Sequence, residues 1–343
     1  MPPKNKTLRW IRFKLEWALA YPVLLACRLL PRRLAILLLM PWVFLFWVVD
    51  RKHKRSILDN ISLAYPEKTK KEVKDLAWRS YAHLARAVVD FCTMHRITKE
   101  NYQERIRFEN IELFDEAVAQ GKGLVVITGH FGLWEISGHA THLHRPDFTT
   151  IGRHMDNPHV HNFVFRQRQS GGMTCLLKLH SIFPLFKLLK KGGKIAALMD
   201  QDGGRDGAYL RLFGQLCSTH ISMIQLARKT GAPLIAGSGF YEDDGYHYCI
   251  RFDPIEPLSA EEATDDEEIN VLRQAQKMNN AIEAIVRRHP EQWLWMHRRF
   301  RRKPAVGCRI LTETGDVLVH TKDGDFPLDE RRRRESQKDT VDK

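Results

Sequence analysis

Four consecutive apolar residues, Leu124 to Ile127, stand between Gly123 and Gly129. So short an apolar run with glycine at both ends is the signature of a strand covered on both faces. Ile195 to Met199 repeats the pattern and runs into Asp200-Gln201-Asp202-Gly203-Gly204. Phe148 to Ile151 reads as a shorter strand, Gly231 to Ile235 as a turn into a strand, and Tyr246 to Phe252 alternates like one. Between them lie helical patterns. Lys68 to Arg96 carries Val73, Leu76, Ala77, Tyr81, Leu84, Val88 and Phe91 at helical spacing, and Asn270 to His289 is amphipathic. Ser218-Thr219-His220 is expected to cap a helix over Ile221 to Thr230.

Where the first buried strand ends, Thr128-Gly129 leads into His130, and Glu135 follows five positions on. A histidine can act as a general base near neutral pH. A carboxylate beside it can fix the tautomer and stabilise the imidazolium, as the acid of a serine-protease triad does. No serine or cysteine lies between the two, so the nucleophile expected is a hydroxyl on a substrate. The plainer account is a core histidine at a strand end and an acidic residue near the positive end of a helix.

Lysine and arginine number 54 against 41 aspartate and glutamate, a formal charge of +13. Such a balance points to an anionic partner, whether phospholipid, nucleic acid or acidic protein. The six cysteines include no C-x-x-C pair, which argues against a disulfide framework or a zinc site. The amino-terminal part is basic, then apolar. Trp17 to Leu30 and Leu34 to Val49 are split by Pro31-Arg32-Arg33, and the second stretch runs sixteen residues without a charge. A spanning helix needs roughly 20 residues, so this one is marginal. Trp42 and Trp47 suit an interfacial belt, and Arg51, Lys52, Lys54 and Arg55 suit anionic lipid. No small-residue cleavage site follows the first apolar stretch, so no removed signal peptide is expected.

His130 and Glu135 in GHFGLWEI resemble the H-x4-D/E motif of the glycerolipid acyltransferase superfamily, and more closely its H-x4-E variant in the bacterial lipid A late acyltransferases. Other stretches carry the same resemblance. Asn60 to Glu67 is similar to an N-x-x-x-x-F/Y-P-E signature. Arg153 with Asn157-Pro158 is similar to Y-R-x-x-x-N-P, with Gly152 in place of the tyrosine. Tyr209 to Gly214 and Gly231-Ala232-Pro233 have counterparts too. Pro290 to Pro304 resembles P-E-Q-Y/W-x-W-x-H-R-R-F-K-x-R-P, the longest match of all.

The resemblance implies an α/β fold, a mixed sheet flanked by helices behind a membrane-embedded amino-terminal helical segment. Residues 1–55 would be the anchor, 56–304 the catalytic domain and 305–343 a partly disordered extension, with a short strand at Val317 to Val319. It also implies acyl transfer from an acyl-carrier-protein thioester to a hydroxyl of a membrane glycolipid, a lipid A precursor above all. The setting implied is the bacterial inner membrane with the catalytic domain on its cytoplasmic side, with no cofactor, metal or nucleic acid involved. His130 would be the base and Glu135 its partner. Arg153, Arg166, Arg168, Asp200, Asp202, His297, Arg298 and Arg299 are candidates for holding substrate or, for the two aspartates, for orienting the histidine. Another phospholipid or glycolipid acceptor, hydrolysis of the thioester, or lipid binding without turnover are the alternatives left open.

Overall fold

The computed structural model describes residues 6–152, 154–177, 182–322 and 324–328. Arg153 and the basic run Arg331 to Arg334 lie outside the described residues. The chain opens with four helices, α1 (Lys6–Leu29), α2 (Arg32–Val49), α3 (Arg51–Ala64) and α4 (Lys70–Thr93). Alternation follows: β1 (Ile106–Glu109), α5 (Ile111–Ala119), β2 (Leu124–Thr128), α6 (Trp134–His144), β3 (Phe148–Gly152), α7 (Pro158–Gln169), β4 (Thr174–Leu177), α8 (Ile182–Lys190) and β5 (Lys194–Leu198). Then come β6 (Ala208–Leu212), β7 (Gln215–Thr219), α9 (Ser222–Thr230), β8 (Leu234–Tyr241), β9 (Tyr248–Pro254) and α10 (Glu267–Arg288). Strands β10 (Arg309–Leu311), β11 (Val317–Thr321) and β12 (Gly324–Pro327) close the described chain.

The main sheet has seven strands in the order β1-β9-β8-β2-β5-β3-β4. Only the β8–β9 pair is antiparallel, so the sheet is mixed, with helices on both sides. Its central strand shows why. Val125 and Ile127 pack into one core with Ile195 and Ala197 of β5 and with helices α8 to α10. Leu124 and Val126 face the opposite core, with Phe114 of α5 and Ile136 of α6. Each such buried side chain contributes about 2 kcal/mol of transfer free energy, which fixes the strand in place. A second sheet, β12-β11-β10-β6-β7, uses residues 309–327 beside the β6–β7 hairpin. The expected strand at Val317 to Val319 is therefore present, as part of this sheet. The expected cap at Ser218-Thr219-His220 is not: the first two residues end strand β7, and α9 begins without a side-chain cap at Ile221.

The Pro31-Arg32-Arg33 break separates α1 from α2. Arg32 does more than interrupt, since it grips Asp90 of α4 through two hydrogen bonds of 2.8 and 2.9 Å. Asp90 also receives the Tyr241 hydroxyl at 2.6 Å and pairs with Arg105 at 2.8 Å. Helix α2 is long and apolar enough to cross a membrane, with 18 residues and a mean hydropathy of 1.8. At 1.5 Å per residue it is about 27 Å long. Ala35 is its one buried residue, while Leu37, Leu38, Trp42, Phe44 and Phe46 are exposed.

Candidate active site

Strands β2 and β5 are parallel neighbours in a register that sets Thr128 opposite Leu198. Two residues beyond each strand end stand His130 and Asp200. Asp200 accepts the His130 ring at Nδ1 through Oδ1 at 2.8 Å, and the His130 backbone N–H through Oδ2 at 2.8 Å. The indole N–H of Trp293 donates to Oδ2 as well, at 2.8 Å. Burial by itself raises the Asp200 carboxyl. The charge of His130 and the three hydrogen bonds outweigh it and hold the group well below the usual carboxylate range. The Asp200 side chain is 2% exposed and the His130 side chain 14%.

The loop that presents His130 is locked from both sides. A Cβ on Gly129 would lie 3.0 Å from Asp200 Cγ and 2.8 Å from the Phe131 ring, so the acid can approach only because that position is glycine. Gly132 takes φ +49, and its N–H donates to the Gln292 carbonyl at 2.7 Å. Phe131 bridges to Trp293, and the Leu294 N–H reaches the His130 carbonyl at 3.1 Å. The Pro290 to Pro304 segment thus serves as a brace for the histidine loop. Asn60 in α3 holds the next part of the brace, donating to the carbonyls of Trp295 at 2.7 Å and of His297.

Glu135 is not the partner of the imidazole. It lies in the first turn of α6, and both of its oxygens are taken by Arg168 of α7, Nε to Oε2 at 2.8 Å and Nη2 to Oε1 at 2.6 Å. The pairing expected from five-residue spacing fails because residue 130 precedes the helix and residue 135 turns with it. Arg168 keeps Nη1 apart from this fork, 3.9 Å from Cys175 Sγ.

The free side of the His130 ring faces an open cleft of about 610 Å³. Trp134, Arg168, Gln201 and His297 line it together with an apolar wall that includes Ile151, Met155, Met199 and Met223. Gln201 Nε2 stands 3.0 Å from His130 Nε2 and 2.8 Å from His297 Nε2. The Gln201 side chain thus bridges the two imidazoles, while Nδ1 of His130 is taken by Asp200. Burial, and next the positive charge His130 carries when protonated, lower the His297 pKa. A second cavity, of about 60 Å³, lies behind the Glu135–Arg168 pair among Val126, Phe148 and Phe252.

Of the candidates read from the sequence, His130, Arg168 and His297 line this cleft, with Asp200 bonded behind His130 and Glu135 behind Arg168. Asp202, Arg166, Arg298 and Arg299 do not, and each has a physical reason. Asp202 turns away to pair with Arg302 at 3.0 Å. Arg299 is 1% exposed and donates to Ser218 O and to Thr219 Oγ1, so it fastens strand β7 and reaches no substrate. Arg298 is exposed beside α3, 3.2 Å from Ser56 Oγ. Arg166 points to the opposite side of α7 and lines a separate cleft with Arg28. Gln201, Trp293 and Asn60 were missed as site residues. Gln201 sits between the two aspartates of one turn, and Trp293 belongs to a tryptophan-rich stretch that resembles an interface belt but is buried at 4%. Among the described residues no three His, Cys, Asp or Glu side chains gather as a metal site.

The arrangement is an imidazole with a buried carboxylate behind it and an open, partly apolar cleft before it. It is suited to taking a proton from a hydroxyl. Comparison with known proteins agrees with that chemistry. The chain is 25% identical over 258 residues to the lipid A biosynthesis palmitoleoyltransferase of Escherichia coli K12, covering 74% of this chain and 80% of that protein. It is 25% identical over 264 residues to the lipid A biosynthesis lauroyltransferase of the same organism, covering 74% and 81%. A phosphatidylinositol mannoside acyltransferase of Mycobacterium tuberculosis (strain CDC 1551 / Oshkosh) is 24% identical over 175 residues, 50% of this chain and 55% of that protein. Residues 1–302 match the family described as bacterial lipid A biosynthesis acyltransferase, and the chain belongs to that family of acyl-transferring enzymes.

Proposed function

We propose that this protein moves a fatty acyl chain from an acyl-carrier-protein thioester to a hydroxyl of a lipid A precursor, at the cytoplasmic face of the bacterial inner membrane. The observation that carries the reading is the His130–Asp200 pair, open on the Nε2 side to an apolar-walled cleft, in a chain of this family. His130 Nε2 takes the proton of the acceptor hydroxyl as that oxygen attacks the thioester carbonyl. Asp200 stabilises the imidazolium. The C–S bond then breaks, the ester remains on the lipid, and the imidazolium returns its proton to the departing thiolate. The attacking hydroxyl is the substrate's own, so the step needs no acyl-enzyme.

The acceptor hydroxyl takes the place of the Gln201 amide at His130 Nε2, and Arg168, which lines the same cleft, supplies positive charge for the developing oxyanion. The Gly132 N–H is already committed to Gln292 and is not available for that task. Ile151, Met155, Met199 and Met223 form the wall for the acyl chain. The net charge of +13 favours encounter with an acidic carrier protein. The exposed apolar faces of α1 and α2 set the protein against the bilayer.

Purified protein incubated with acyl carrier thioester, with and without lipid A precursor, tests this. His130→Ala is expected to abolish transfer while folding and membrane association persist. Substantial turnover in that variant would reject the assignment. Release of free fatty acid without an acceptor would favour hydrolysis instead, and transfer only to a mannosylated or other glycolipid would move the acceptor and keep the mechanism.

A further inference from the structure

Helix α7 separates two clefts. Arg168 faces the reaction centre from one side, and Arg166, two residues earlier, faces α1 from the other. There α1 and α7 enclose a cleft of about 330 Å³ whose wall includes Trp17, Tyr21 and Phe163, with Arg28, Arg166 and His159 as its basic groups. No carboxylate lines it. Among the described residues neither Arg28 nor Arg166 has an ion-pair partner, whereas three other arginines of helices α1, α2 and α7 do. Arg12 pairs with Glu16, Arg32 with Asp90, and Arg168 with Glu135.

A third guanidinium approaches, as Arg96 donates to the Arg28 carbonyl at 2.5 Å. The cationic field is felt nearby: burial lowers the His95 pKa, and the charges of Arg28 and Arg96 lower it further. Two unpaired guanidinium groups facing one cleft repel each other and gain from a shared anion, and arginine forks match phosphate oxygens.

The cleft does not end at the charges. It shares Trp17 and His159 with a mainly apolar trough of about 470 Å³ along α1, lined by Trp10, Ile11, Leu15 and Ala18 with Lys14 as its one charge. From Trp10 to Arg28 the helix rises about 27 Å, longer than the roughly 20–22 Å of one lipid leaflet with its headgroups, so a lipid fits along it. The Trp17 ring stacks on His159 at 5.9 Å and meets Phe163 at 6.1 Å, forming an aromatic step between trough and charges. Aromatic side chains between an apolar surface and cations are characteristic of the headgroup level of a bilayer.

We propose that the α1–α7 cleft is a binding site for a phosphate-bearing lipid, with the phosphate between Arg28 and Arg166 and an acyl chain along the α1 trough. It is separate from the reaction centre, since neither arginine lines the His130 cleft. The site therefore stands or falls independently of the acyl-transfer reading.

The test is native mass spectrometry of the full chain released from a neutral detergent after exposure to phosphatidylglycerol or phosphatidylcholine. Wild type is expected to retain one phosphatidylglycerol, and the Arg28→Gln/Arg166→Gln variant to bind it about ten-fold or more weakly, at roughly a factor of five per cation. Lys70→Gln/Lys71→Gln, which removes two exposed cations elsewhere, is expected to behave as wild type. Thermal unfolding of each variant, unchanged from wild type, establishes that the fold is intact. Equal loss in the lysine variant would reduce the effect to general surface charge and overturn the site. Equal retention of phosphatidylcholine would leave only an apolar trough. Displacement of the lipid by millimolar inorganic phosphate would identify a soluble anion as the ligand. Each of these three results rejects the proposal.

Discussion

Asp200 and Glu135 are carboxylates behind one cleft, held in opposite ways. Asp200 is buried and accepts only from His130 and Trp293, so an imidazolium is the one cation it can stabilise without losing another. Glu135 is saturated by a two-pronged guanidinium, and turning it toward the histidine would strand Arg168 with a buried charge. The difference teaches that a carboxylate's role here follows from what already occupies its oxygens, and that proximity along the chain is no guide to it. The first carboxylate serves proton movement. The second keeps an arginine aimed into the cleft.

The sharpest way to break that contrast is Asp200→Asn. The amide keeps the shape but offers no negative charge and presents the wrong hydrogen-bonding groups to Nδ1. A fall in kcat of about 10²–10⁴-fold is expected, by analogy with the same exchange in a serine-protease triad. The measurement is steady-state transfer, and a loss below ten-fold would mean that Asp200 is structural.

Glu135→Gln is expected to cost less, about 10–100-fold in kcat/KM, and mostly through KM, because Arg168 loses its anchor while the His130–Asp200 pair stays intact. The pH profile of kcat decides between the two carboxylates. The acidic limb should remain where it is in Glu135→Gln and move in Asp200→Asn. The reverse outcome would restore Glu135 as the partner of the imidazole.

The smallest effect expected lies in the scaffold beneath both. His83 of α4 is buried, meets the backbone of Gly132, and has a pKa pushed down by that burial to about 4. In the unfolded chain the same group titrates near 6.5. The unfolded state therefore binds the proton first, and stability is full above about pH 6.5 and lost as the pH falls toward 4, by up to about 3 kcal/mol. His83→Phe should flatten this slope in denaturant titrations at pH 4.5 and pH 7 while leaving the pH profile of kcat unchanged. An unchanged slope would assign the acid sensitivity to other histidines.

The legible parts of this molecule were those governed by local pattern. Leu124 to Ile127 and Ile195 to Met199 announce buried strands through composition, and the helical spacing from Val73 to Tyr81 announces α4. His130 was legible as a strand-end group, and the Pro290 to Pro304 stretch as a family signature. The pairing of His130 with Asp200 was open only as one alternative, because it depends on β2 lying beside β5, a choice made by the whole sheet. Arg298 and Arg299 show the same limit. They are neighbours of identical type, yet one is exposed and the other fastens strand β7 from inside. Local charge cannot tell them apart, since the backbone between Trp295 and Arg299 is bent by Asn60 from a helix more than two hundred positions away. Trp293 is illegible for a related reason, as nothing local shows that its N–H ends on a buried carboxylate.

The β2–β5 register has a consequence for how such a chain can change. Base and acid are mounted on adjacent rails, each two steps beyond the last matched rung. The stretch between them can grow or shrink at its loops without disturbing their meeting. A single residue lost inside β5 is another matter: it would swing the acid to the far side of the layer, leaving an unpartnered imidazole in an otherwise sound protein.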